Sequence, residues 1–157
     1  RCAMGDVAMT ISTKGRYGLR LLIDVALHQK EGVVNLKTIA ERQGISVKYL
    51  WQVANPLKAA GVLRVSRGAH GGFVLGRPPE EITLLDIVSI LEGAPSLVEC
   101  VEMRGCGKAG VCAAHVLWCQ LSQTLERAMK AVTLRDAARL QKRLLAAEPA
   151  AGPSPLS

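Results

Sequence analysis

Three cysteines recur at equal steps of six, at Cys100, Cys106 and Cys112, and His115 follows three residues after the last of them. The segment CVEMRGCGKAGVCAAHVLWC is punctuated by Gly105, Gly107 and Gly110, which let the backbone turn tightly enough for thiolates from separate turns to converge. In a helix that begins here, Cys112 and His115 share one face. The set offers three soft sulfur ligands and one imidazole. Structural zinc sites more often pair cysteines two to four residues apart, whereas longer steps suit a larger inorganic core whose ligands span two irons. The spacing therefore favours an iron-sulfur cluster over zinc, with a thiol set that forms disulfides under oxidation as the alternative. A lone helical histidine is usually structural, but its place directly after the triplet raises the ligand reading of His115. Cys119, one turn further on, could reach the same site or fill a helical seam, and packing is favoured because free cysteine is among the most buried residue types.

Such a site needs a scaffold, and the composition permits one. The chain has 157 residues, 49% hydrophobic and 21% charged, which excludes intrinsic disorder and fits one or two small domains. Aromatic residues make up only 3%, so aliphatic side chains must build the core, and stacking platforms for single-stranded nucleic acid are not expected. The net charge of +7 points to a polyanionic partner. That charge is unevenly spread: residues 9–77 carry 11 basic and 3 acidic side chains, and residues 78–105 carry 1 and 6. A nucleic-acid face therefore belongs in the N-terminal half. The absence of a long apolar run and of a signal-peptide pattern predicts a cytoplasmic protein with no membrane partner, whose clustered thiols serve metal or redox chemistry. Residues 1–8, RCAMGDVA, read as an expression remnant or an alternative start before Met9.

Leu19, Leu22, Ile23, Ala26 and Leu27 have helical spacing, and Tyr17, Leu21 and Val25 widen the stripe into a helix buried on most sides. Asn35 can cap a short helix through Gln43, Gly44 favours a left-handed stop, and Ser46 can cap a second helix at once. Two short helices around a tight turn have the layout of a helix-turn-helix. Next, VLRVSR and FVLGR alternate as two strands about the flexible GAHGG turn. A basic hairpin after a helix-turn-helix makes a winged-helix domain, placed over residues 9–79. The early polar positions of its second helix, Ser46, Lys48, Tyr49 and Gln52, would face base edges in the major groove, although Tyr49 is as well suited to the core. Arg67 in the wing would touch phosphate or the minor groove.

Thr83 and Asp86 form a capping-box pattern for a connecting helix within residues 80–95, ended by Gly93 and Pro95. The cysteine-rich loop takes residues 96–115. Helices over 113–147 follow, the first with a seam of Leu117, Leu121, Thr124, Leu125, Ala128 and Val132, and residues 148–157 read as a disordered tail. The seam predicts a homodimer, because a single winged helix offers a small footprint on double-stranded DNA. The fold class expected is mainly α with a small β-hairpin wing, plus a long C-terminal dimerisation helix.

ISTKGRYGLRLLIDVALHQ, ISVKYLWQVANPLKAAGVLRVSRGAHGGFVLGR and the C-x5-C-x5-C-x2-H pattern together resemble the Rrf2 family of winged-helix transcription regulators, in its IscR-like iron-sulfur branch. The resemblance runs from about Met9 to Leu134 and rests on two fairly specific motifs in the right order. It implies a homodimeric repressor or activator with one cluster per subunit, ligated by Cys100, Cys106, Cys112 and His115. It also implies DNA contact by the wing, at Arg67, Gly71 and Gly72. In the family's nitric-oxide-sensing branch an acidic residue near the start of the first helix, from the other subunit, completes the cluster. Here Arg16 stands in that neighbourhood, and arginine cannot replace a carboxylate ligand, so a 2Fe-2S cluster is favoured over 4Fe-4S. Trp51 is an unexpected residue for a reading helix, and Pro56 is expected to kink that helix.

The reading that follows is a regulator sensing iron-sulfur status, oxygen or nitric oxide. A cluster-binding interaction module in iron-sulfur assembly or sulfur metabolism and a cluster-free thiol redox regulator are the alternatives. No nucleophile elbow, phosphate loop or acid/base pair supports an enzyme.

Overall fold

A computed structural model of the chain describes residues 11–67, 71–93, 97 and 110–147. Its elements run α1 (Thr13–His28), α2 (Leu36–Gln43), α3 (Val47–Ala59), β1 (Leu63–Ser66), β2 (Gly72–Leu75), α4 (Leu84–Glu92), α5 (Ala113–Ala131) and α6 (Leu134–Ala147), with a 3-10 turn Gln29–Glu31 after α1. The architecture is mainly helical with one two-stranded antiparallel hairpin, as the periodicity predicts. Both terminal segments, 1–8 and 148–157, and most of the cysteine-rich loop lie outside the described residues.

The helix starts follow side-chain capping chemistry. Ser12 accepts from the amides of Lys14 and Gly15, Asn35 from Lys37 at 2.7 Å, and Ser46 from Tyr49 at 3.2 Å. Thr83 and Asp86 form the expected reciprocal box. A second box, not anticipated, opens α6: Thr133 N donates to Asp136, and Asp136 N donates to Thr133 Oγ1, each at 3.2 Å. The Thr133 side-chain hydrogen bond holds the Asp136 carboxyl below its ordinary range, followed by the Thr133 backbone bond. The cap therefore contributes in full above the unfolded carboxylate range and loosens as pH falls through the depressed value. At the end of α2, Gly44 takes the left-handed φ of 65°, and Ile45 N donates back to Ala40 O at 3.0 Å. This closes the tight turn between α2 and α3. Helix α3 continues through Pro56 to Ala59 and ends three residues after the proline expected to kink it.

Helix α1 is the hub: Leu21, Leu22 and Val25 are fully buried, and the helix packs against α2, α3, α4, α6 and β2. Its one buried charge is Asp24, 3% exposed. Arg42 grips that carboxylate through Nε (3.0 Å) and Nη2, and Gln43 Nε2 donates to it at 3.0 Å. A buried carboxylate needs this saturation to persist, and the cluster fastens the helix-turn-helix to the hub.

The hairpin pairs Leu63 with Leu75 and Ser66 with Gly72. A further bridge joins Val34 to Phe73, with Val34 N donating to Phe73 O (2.9 Å) and Phe73 N to Val34 O (2.7 Å). The wing is thus docked on the strand-like residue before α2. Gly72 is buried at this joint, and a Cβ there would stand 2.5 Å from the Val34 carbonyl oxygen. Because the obstacle is backbone, Gly72→Ala is expected to destabilise the fold by about 1–3 kcal/mol, read as a drop in Tm of roughly 2–4 °C per kcal/mol in a thermal melt.

Candidate nucleic-acid interface and metal centre

Helix α3 divides cleanly. Leu50, Val53, Ala54 and Leu57 are buried, which turns Lys48, Gln52 and Asn55 to solvent along one face at helical steps of four and three. Asn55 was missed by the sequence reading, although its spacing from Gln52 carries the signal. Ser46 is exposed, but its hydroxyl is engaged as the α3 cap. Tyr49 is half-buried against the core, edge-on to Tyr17 with ring centroids 5.8 Å apart. Arg20 lies over the other ring of that pair, 5.3 Å from the Tyr17 centroid. Trp51 is 40% exposed and meets Phe73 of β2 edge-on at 5.4 Å, so it ties α3 to the wing. Arg64 and Arg67 are exposed on and just beyond β1. Gly71 is half-buried, and its carbonyl accepts from Asn35 Nδ2 at 3.4 Å. Glycine at 72 answers the packing demand of Val34.

Cys112 occupies the N-cap position of α5 in an extended conformation and makes no side-chain capping bond, so its thiol is uncommitted to the helix. His115 stands one turn into α5 and is half-buried. Its Nδ1 is shut off from solvent without a hydrogen-bond partner among the described residues, and its Nε2 lies 3.5 Å from Cys119 Sγ. Cys119 is half-buried and does not join the core. Cys100 and Cys106 fall outside the described residues. Among the described residues no three metal-binding side chains converge. Cys112 and His115 are nonetheless a sulfur and a nitrogen donor at helical spacing, the second with a buried nitrogen unused, which fits two ligands of an iron-sulfur cluster. Arg16, on α1, is exposed and donates to Thr13 Oγ1 at 3.2 Å.

Beyond the cysteines α5 is poorly covered, with only Ser122 and Met129 buried. Leu117 is 58% and Leu121 51% exposed, and Thr124, Ala128 and Val132 continue the open stripe, with Leu125 half-buried. No helix among the described residues is long and apolar enough to cross a membrane.

The family described as "Rrf2: Iron-dependent Transcriptional regulator" matches residues 11–139. The chain belongs to this family. It is 41% identical over 130 residues to the HTH-type transcriptional regulator CymR of Bacillus subtilis, covering 83% of this chain and 90% of that one. Protein rrf2 of Nitratidesulfovibrio vulgaris is 39% identical over 132 residues, covering 83% and 88%. The solved structure of T. potens IscR superposes with a TM-score of 0.71 at 34% identity, covering 94% of this chain and 97% of that one. The chain is accordingly a winged-helix transcription regulator of the Rrf2 family, and its hairpin is the wing.

Proposed function

We propose that this Rrf2-family regulator works as a homodimer on double-stranded DNA, and that an iron-sulfur cluster, 2Fe-2S in preference to 4Fe-4S, sets its occupancy. The observation that carries the cluster reading is the buried His115 Nδ1, without a partner among the described residues, one turn after a Cys112 thiol that makes no capping bond to α5. Cys100, Cys106, Cys112 and His115 would hold the cluster, which supplies a redox- and gas-reactive centre when bound. Cys112 sits at the positive end of the α5 dipole, which favours an anionic ligand set there. Glu92, at the end of α4, accepts from Ser12 Oγ (2.5 Å) and Gly15 N (2.8 Å), so the segment that enters the cysteine loop is tied to the start of α1. On the same helix, Asp24 holds Arg42 of α2, the first helix of the helix-turn-helix.

Anaerobic purification with visible absorption and iron and sulfide analysis tests the cofactor. A brown protein with about two irons and two sulfides per chain supports it, and a colourless, iron-free chain of native fold refutes it. In that case sulfur-metabolism control becomes the better reading, since the CymR relative is described as the global cysteine regulator of B. subtilis.

For DNA, Lys48 and Gln52 on the open face of α3 would read bases, with Ser46 and Tyr49 shaping the helix start. Arg67, with Gly71 and Gly72 behind it in the wing, would approach the backbone. Arg67→Ala is expected to weaken binding to most sequences and flatten the salt slope by about one unit. Gln52→Ala should cost roughly 1–3 kcal/mol and relax preference at one base position. Binding-site selection with both variants checks this, and an unchanged logo for the Gln52 variant would remove that residue from base readout.

A further inference from the structure

Helix α5 brings together two side chains that DNA reading does not use. Cys119 Sγ lies 3.5 Å from His115 Nε2, and both residues are half-buried. The other ring nitrogen is closed off from solvent and has no partner among the described residues. A neutral imidazole carries one N–H, so the contact with sulfur can be made in two ways. If the thiol donates to Nε2, the ring proton sits on Nδ1, a buried donor that faces no acceptor among the described residues. If Nε2–H donates to Sγ, Nδ1 presents a lone pair. Metal-ligating histidines characteristically donate their second ring N–H to a neighbouring acceptor, which fixes both tautomer and ring orientation. The second arrangement meets that requirement and would leave the buried nitrogen's lone pair for a metal.

We infer that Cys119 is the positioning residue for His115: its sulfur accepts the Nε2–H bond, and Nδ1 is left as the nitrogen that ligates. The metal named here rests on the proposed cluster, whereas the ring tautomer belongs to the chain alone. Cys119 thereby acquires a role that the packing expectation did not give it.

The full chain, labelled with nitrogen-15 histidine and isolated without iron, is to be compared with Cys119→Ala and Cys119→Ser by long-range proton–nitrogen correlation above the imidazole titration range. The native chain and Cys119→Ser, whose hydroxyl oxygen accepts the same bond, should show His115 protonated on Nε2. Cys119→Ala, with matching circular dichroism, should show a mixture of tautomers. A native His115 protonated on Nδ1, or an alanine variant indistinguishable from native, would overturn the inference. In iron-loaded, reduced protein, pulsed electron paramagnetic resonance should place the strong nitrogen coupling on Nδ1, and its assignment to Nε2 would also overturn it. A chain that binds no iron yet holds the Nε2–H tautomer sinks the cluster proposal while supporting the Cys119–His115 bond.

Discussion

Cys112→Ser is expected to take the bound iron from about two per chain to near zero while leaving α5 intact or firmer. The two effects separate because of where the residue sits. A hydroxyl is a hard, weak ligand where a soft thiolate is needed, so retention should fail. At the same position, however, Cys112 is the N-cap of α5 and makes no capping bond. Serine is among the strongest N-cap residues, worth on the order of 1 kcal/mol over a side chain that cannot cap. With both chains compared iron-free, iron loss with unchanged or raised Tm therefore identifies a ligand, and iron loss with a collapsed melt identifies a folding defect. Cys100→Ser and Cys106→Ser should lose iron as completely. Full iron content in the Cys112 variant would dismiss the proposed ligand set.

Leu121→Asp should convert the protein to a monomer. Leu121 is half exposed in the single chain, so the substitution costs that chain little. In a paired seam the carboxylate would be buried without a partner, at a cost on the order of 3 kcal/mol, or roughly 100-fold in the dimer dissociation constant. Analytical ultracentrifugation at micromolar concentration reads the change directly. DNA affinity should fall with it, because a monomer meets one half-site. A native protein that already sediments as a monomer would contradict the dimer.

The elements most legible in the sequence were those defined by short-range chemistry. Asn35, Gly44, Ser46 and the Thr83–Asp86 pair each fix a helix boundary through a partner within five residues. Thr133–Asp136 carries the same short-range signal at the start of α6. The unread features depend on distant partners. Asp24 looks like an intruder in an apolar stripe until Arg42 and Gln43 arrive 18 and 19 residues later. Gly72 looks like wing flexibility until Val34 closes on it. Of the candidate site, the placement of Cys112 and His115 at the start of one helix was legible from spacing alone. The Cys119 contact was harder to foresee, because i,i+4 spacing permits packing and hydrogen bonding equally.

Trp51 on Phe73 has a bearing on how quickly a duplex would be found. The ring fastens the reading helix to β2, and the Val34 bridge fastens β2 to the residues before α2. The helix and the hairpin strands therefore approach DNA in a fixed relative orientation. Less relative motion of the two is then left to settle after encounter, so complex formation is expected to depend chiefly on diffusion, the basic field and ionic strength. An aromatic contact inside the fold thus bears on how the domain meets a duplex.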